Sequence, residues 1–175
     1  ARSPAYFFNE KVMCALGAGL AESGKLNPNG RLRALSALRR FCTIAKGIGL
    51  PRLTAVATAA VREASDGADF VAQVQSETGL KIHVINGEEE ARLAAQGVLL
   101  GWPGSYGLVC DMGGGSMELA EIADGQVGKR VTSPLAPLKL INRRGGKKGR
   151  KAAITETLDR LRDQMGPQSD RLFLV

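Results

Sequence analysis

Apolar residues recur with a period of about 3.6 through RLRALSALRRFCTIAKGI at 31–48. Leu32, Leu35, Leu38, Cys42 and Ala45 mark one stripe, with arginines between them. That spacing predicts an amphipathic helix, ended by Gly47 and Gly49 with Pro51 just beyond. LTAVAT at 53–58 is short, apolar and partly β-branched, so it reads as a buried strand. KIHVI at 81–85 alternates as a second strand. Between them, Asp66 or Asp69 is placed to cap a helix that runs through Glu77 and stops at Gly79. From Gly87 the pattern turns helical again, and Glu88, Glu89 and Glu90 suit the positive end of the helix dipole. Gly101-Trp102-Pro103-Gly104 breaks that helix and predicts a domain boundary there, dividing 1–102 from 103–175.

Strands follow at about 106–111, 116–123 and 126–132, the last two joined through the hairpin dipeptide Asp124-Gly125. A helix is predicted over about 151–165, ended by Gly166-Pro167, and RLFLV at 171–175 begins another strand. Strand-helix alternation followed by consecutive hairpins predicts a mixed α/β fold. The chain opens without Met and stops inside an apolar strand, so the reading is of a fold incomplete at both ends.

Composition narrows the function classes. The 175 residues are 44% hydrophobic and 23% charged, ordinary for a soluble globular protein. No stretch approaches the ~18 apolar residues of a membrane span, and no basic-then-apolar leader is present, which predicts no membrane partner. Cys14, Cys42 and Cys110 lie far apart in apolar surroundings. They read as buried free thiols in a reducing, cytoplasmic setting rather than a disulfide or metal set. A single histidine, His83, leaves no material for a His-rich metal site or a Ser-His-Asp triad. The net charge of +7 favours an anionic partner. Part of it lies in the run Arg143–Lys151, which reads as a solvated, mobile loop or as a contact for a phosphate-rich ligand. No aromatics interleave with these basic residues, which weighs against nucleic acid.

The candidate chemistry lies in CDMGGGSMEL at 110–119. Consecutive glycines between two strands can turn several N–H groups toward one point and nest an anion. Gly113, Gly114 and Gly115 would supply that nest, with the Ser116 hydroxyl beside it. Asp111 and Glu118 flank the turn, and carboxylates beside a phosphate make sense when Mg²⁺ or another divalent cation shares oxygens with both. The plainer alternative is a flexible glycine turn with two solvated acids. Glu88-Glu89-Glu90 is by composition a helix start with matched charges, and Arg62, just past a strand, is either a phosphate clamp or a structural ion pair.

Together these elements resemble the exopolyphosphatase / guanosine pentaphosphate phosphohydrolase family, within the actin-like ATPase and sugar-kinase superfamily. The likeness is carried by FNEKVMCALGAGL at 8–20, ATAAVREA at 57–64, the segment 70–99 with GEEEAR, and DMGGGSMEL at 111–119. It implies two ribonuclease-H-like domains and hydrolysis of a terminal phosphoanhydride bond, in inorganic polyphosphate or in guanosine pentaphosphate. It also implies that Glu90, directly before Ala-Arg, is the base on the attacking water. Asp111 and Glu118 would serve the metal, Gly113 and Ser116 would join the phosphate cradle, and Arg62 would bind phosphate. A carboxylate among other anions has its pKa raised, which suits a base near neutral pH. Dimers occur in the family, so a homodimer is compatible with the resemblance.

Departures accompany the likeness. The family's N-terminal DxGSNS phosphate loop lies outside these residues, which predicts weak or no hydrolysis by this stretch alone. The family's PLGxxRL segment appears as Pro134-Leu135-Ala136-Pro137-Leu138-Lys139-Leu140, with alanine for glycine and lysine for arginine. Two other classes compete with the hydrolase: an ATP-using sugar kinase or chaperone-like relative, and a non-catalytic polyphosphate- or alarmone-binding module.

Overall fold

The structure, a computed structural model, describes residues 8–141, 143–167 and 170–175. By packing, the chain divides into two compact units that meet in sequence between Asn86 and Gly87, ahead of the boundary expected after Trp102.

The unit from Phe8 to Asn86 contains α1 (Leu20–Ser23), α2 (Pro28–Gly47), β1 (Ala55–Ala57), α3 (Ala59–Glu63), α4 (Gly67–Thr78) and β2 (Ile82–Val84). β1 and β2 pair in parallel, Ala55 opposite Ile82 and Ala57 opposite Val84. α2 starts earlier than the apolar stripe suggests because Asn27 caps it. Its Oδ1 accepts the Gly30 N–H at 2.9 Å, and Pro28 stands at the first helical position, where its missing N–H costs nothing. Leu35 is buried, whereas Leu32 is 67% exposed and falls off the packed stripe. Asp66 occupies the position before α4 but does not cap it through its side chain. Its carboxylate instead accepts the Leu26 N–H at 2.9 Å and an Arg31 N–H at 2.8 Å, tying the start of α4 to the start of α2. Leu26, Leu35, Val61, Phe70, Val74 and Leu80 form the core of this unit.

The second unit contains α5 (Gly87–Gly101), β3 (Gly107–Met112), β4 (Met117–Ala123), β5 (Gln126–Ser133), α6 (Pro137–Ile141), α7 (Gly146–Met165) and β6 (Leu172–Leu174). The sheet order is β5-β4-β3-β6, with antiparallel hairpins at β3-β4 and β4-β5 and β6 parallel to β3. Asp124 and Gly125 both take positive φ, 51° and 72°, as the tight β4-β5 turn requires. Alternation sorts the sheet's side chains onto two faces. Val109, Ala120 and Ile122 pack against Ala91, Ala95 and Val98 of α5. Cys110, Met117 and Leu119 pack on the other face against Leu161 and Met165 of α7. Each large apolar side chain buried this way contributes about 1.5–3 kcal/mol. The small residues of α5 let it lie close to the sheet, so the helix belongs by packing with the strands that follow it.

Two expectations are corrected here. The basic run is not a loop. Arg144 and Gly145 form a turn and α7 begins at Gly146, five residues before the predicted start at 151. The run's glycines make that first turn possible: the Gly149 N–H donates to the Gly145 carbonyl at 3.0 Å, and a Cβ on Gly149 would stand 2.3 Å from the Arg144 carbonyl oxygen. Of the three free cysteines, Cys110 is buried, but Cys14 and Cys42 are only partly covered.

Candidate active site

The face of the sheet that carries α5 changes character along its length. Its middle is apolar, and at the glycine end it becomes polar, with three residues in one row. Asp111 on β3 lies directly opposite Glu118 on β4, and Glu118 lies directly opposite Thr132 on β5. Directly opposed side chains have Cβ atoms about 5 Å apart, and like charges so placed repel. The same alternation that buries Val109 and Ala120 therefore brings the two carboxylates of DMGGGSMEL together.

Glu118 is 1% exposed. Its Oε1 accepts a hydrogen bond from the Thr132 hydroxyl at 2.9 Å, while its Oε2, also buried, has no hydrogen-bond partner. Burial pushes the Glu118 carboxyl above its ordinary range; the Ser116 and Thr132 hydroxyls pull it down, and the charges of Glu90 and Asp111 push it further up. Burial also raises the Asp111 carboxyl. Glu90 thus stands close enough for its charge to be felt at Glu118. Cys110, on the opposite face, is pushed up first by burial and then by Asp111 and Glu118, which keeps it a thiol.

The three glutamates that open α5 have separate fates. Glu89 is held by Arg92 in a two-pronged pair at 2.7 and 2.5 Å, and that hydrogen bonding lowers its carboxyl. Glu88 is exposed and Glu90 half-buried. At the tip of the β3-β4 hairpin, the Gly113 N–H donates to the Ser116 carbonyl at 3.1 Å and closes the turn. That N–H is spent within the protein, which removes it from the nest expected of all three glycines. The Gly114 carbonyl accepts the Leu138 N–H at 3.3 Å, and a Cβ on Gly114 would meet Leu138 Cδ1 at 3.2 Å. α6 thus comes close to the hairpin tip at Gly114. None of the three tip glycines needs a left-handed backbone. Ser116 is buried beside Glu118. Arg62 belongs to the Phe8–Asn86 unit, in the last turn of α3, where its Nη1 donates to the Ile85 carbonyl at 2.7 Å.

Among the described residues, no three acidic, histidine or cysteine side chains form a cluster that could hold a metal ion by themselves. Mg²⁺ rarely needs such a cluster: it takes one or two carboxylates and completes its shell with water and substrate phosphate. A buried carboxylate with one unpartnered oxygen, facing a second carboxylate, fits that demand. Glu118 and Asp111 would hold such a cation.

The raised Glu118 pKa has a measurable consequence. An acid raised in the folded state opposes folding once it ionises. The penalty is absent below the ordinary glutamate value, grows as pH rises from there to the raised value, and is complete above it. In metal-free complete gene product, Glu118→Gln is expected to raise the melting temperature at about pH 8 and leave it nearly unchanged at about pH 4. An equal change at both pH values, in melts run with a chelator, would show that the buried charge is not the cause.

Two residues of this site carry no signal in DMGGGSMEL. Thr132 is found only through the strand register. Gly87 opens GEEEAR, but its contact with Thr132 is found only through packing, since a Cβ there would stand 2.4 Å from Thr132 Oγ1.

The family model described as the Ppx/GppA phosphatase family matches residues 1–165. The chain belongs to the Ppx/GppA phosphatase family. Among curated proteins it is similar to Exopolyphosphatase 1 of Mycobacterium tuberculosis, at 32% identity over 139 residues, covering 78% of this chain and 40% of that protein. Exopolyphosphatase 1 of Mycobacterium leprae is 34% identical over 120 residues, covering 67% of this chain and 35% of that protein. The chain therefore spans well under half the length of these relatives. Among solved structures, an exopolyphosphatase from Cytophaga hutchinsonii superposes with a TM-score of 0.84 at 24% identity, over 96% of this chain and 57% of that one. The Ppx/GppA family member from Aquifex aeolicus superposes at 0.71 with 25% identity, over 92% of this chain and 54% of that one. The family likeness first drawn from four motifs thus extends to the α/β fold. No helix among the described residues is long and apolar enough to cross a membrane.

Proposed function

We propose that the protein carrying this chain hydrolyses the terminal phosphoanhydride bond of inorganic polyphosphate and releases orthophosphate. The observation that carries the reading is the buried Glu118, unpartnered at Oε2, set opposite Asp111 and within reach of the Glu90 charge at the end of a glycine hairpin. In water these carboxylates would spread apart. Holding them together suits a site that receives a cation and a phosphate.

In this reading Glu90 accepts a proton from water, and the water oxygen attacks the terminal phosphorus. The bridging P–O bond breaks, and the shortened chain departs with the bond's electrons. The amides of Gly114 and Gly115 would face the terminal phosphate, with Gly113 shaping the turn that presents them and the buried Ser116 hydroxyl set beside Glu118. A divalent cation held by Asp111 and Glu118 would supply charge neutralisation, which with positioning is most of what phosphoryl transfer requires. Glu89 is excluded as base because Arg92 occupies it. The exposed Lys147 and Lys148 at the start of α7 would draw a polyanion by long-range attraction.

The names of the two mycobacterial relatives favour polyphosphate over guanosine pentaphosphate. The deciding experiment is a side-by-side turnover assay of both substrates, with the complete gene product and with and without Mg²⁺. The expected result is magnesium-dependent phosphate release, faster from polyphosphate. Faster turnover of guanosine pentaphosphate would reassign the substrate, and tight binding of either without turnover would leave a binding module.

A further inference from the structure

The carboxylate of Glu118 has two oxygens and several rotamers, yet a cation site needs one of those oxygens held still and open. Three contacts restrict it. The main chain fixes its base, because Glu118 sits second in β4 with strands on both sides. Burial excludes water, which could otherwise bond either oxygen. Thr132, its direct cross-strand partner, donates a hydroxyl to Oε1 at 2.9 Å, and Oε2 is without a hydrogen-bond partner. The buried Ser116 hydroxyl also bears on this carboxylate. Thr132 is in turn restrained by the start of α5. The space where a Cβ of residue 87 would stand lies 2.4 Å from Thr132 Oγ1, 2.5 Å from its Cβ and 2.8 Å from its Cγ2. Any side chain at 87 would push the threonine off its bond. Gly87 is buried, and its φ is not left-handed, so conformation does not demand glycine there. The close approach of helix to strand does.

We propose that Thr132 is a positioning residue that aims Glu118, with its hydroxyl fixing Oε1 so that Oε2 points at the divalent cation, and that Gly87 is glycine to admit it. This rests on the reading of Asp111 and Glu118 as the cation's carboxylates. Hydrogen-bond donors behind a metal-binding carboxylate typically matter about 10–100-fold in affinity or activity. Thr132 is itself exposed, so water competes for its hydroxyl and the effect belongs at the low end of that range.

The test uses the complete gene product, Mn²⁺ as a paramagnetic stand-in for the cation, and two variants. Thr132→Val keeps the shape and the β-branch but removes the donor; Thr132→Ser keeps the donor and removes the methyl. Mn²⁺ binding is measured by the loss of its free electron-spin signal, without substrate, alongside a thermal melt. Thr132→Val is expected to weaken Mn²⁺ binding about tenfold with an intact fold, and Thr132→Ser to restore most of it. Equal binding by wild type and Thr132→Val overturns the positioning role and leaves the cation site standing. Equal weakening in both variants also overturns it, since loss of packing then explains the change. A wild type that binds no Mn²⁺ but still releases phosphate removes the cation reading itself, and this proposal with it.

Discussion

Glu90→Gln in the complete gene product is expected to lower kcat for phosphate release by about 10²–10⁴-fold while polyphosphate binding stays close to wild type. The size follows from the role: a positioned general base contributes that much, and the amide of glutamine accepts no proton at neutral pH. The persistence of binding follows from position. Glu90 lies in the first turn of α5, immediately before Ala91, the first of the buried residues that seat the helix on the sheet. Changing its carboxylate to an amide leaves that seat intact. Nor can a neighbour take over easily, because Glu89 is bound to Arg92 and Glu88 is exposed. Steady-state kinetics with a separate binding measurement decide the matter. An unchanged rate would remove Glu90 as base and move attention to Glu118, the carboxylate that burial has raised.

Gly67→Ala is expected to destabilise the protein by about 3 kcal/mol, the upper range for forcing extra atoms into a packed interior. The added Cβ would stand 2.0 Å from the Val61 carbonyl oxygen and 3.1 Å from its carbon. These are backbone atoms of α3, which cannot swing aside as a side-chain tip can. Gly67 opens α4 and is buried, so relief requires α3 and α4 to part. Arg62 rides on α3 and holds the Ile85 carbonyl, so that movement would also disturb this hydrogen bond. The control is the same substitution at Gly97, exposed within α5 with nothing within 4 Å of its Cβ position. There alanine should stabilise by about 0.5–1 kcal/mol, because glycine loses more backbone freedom on entering a helix. Chemical denaturation of both variants gives the comparison. Equal and opposite signs are not required, but a neutral Gly67→Ala would show that the α3-α4 corner has more room than the structure gives it.

Much of the fold was legible because its signals are local. The stripe of α2, the acids and small residues of α5 and the Asp124-Gly125 turn each report the conformation of their own segment. The misses were positions where a local signal ran against a contact made elsewhere. The basic run 143–151 read as a loop, yet its glycines close the first turn of α7 by letting the chain pass near Arg144. Asp66 read as a cap, yet Leu26 and Arg31 took its carboxylate.

The amino-acid sequence alone determined the chemistry present: two acids around a glycine turn, a glutamate at a helix start, and the motif order that marks the family. The hairpins were legible in it, but their register and the pairing of β6 with β3 were not, because register is settled by which faces pack in the assembled unit and β6 is far from β3 in the chain. Register made Asp111, Glu118 and Thr132 a row, and close packing made Gly87 necessary. Burial, a property of the assembled unit, turned Glu118 from a solvated acid into one with an oxygen left unpartnered.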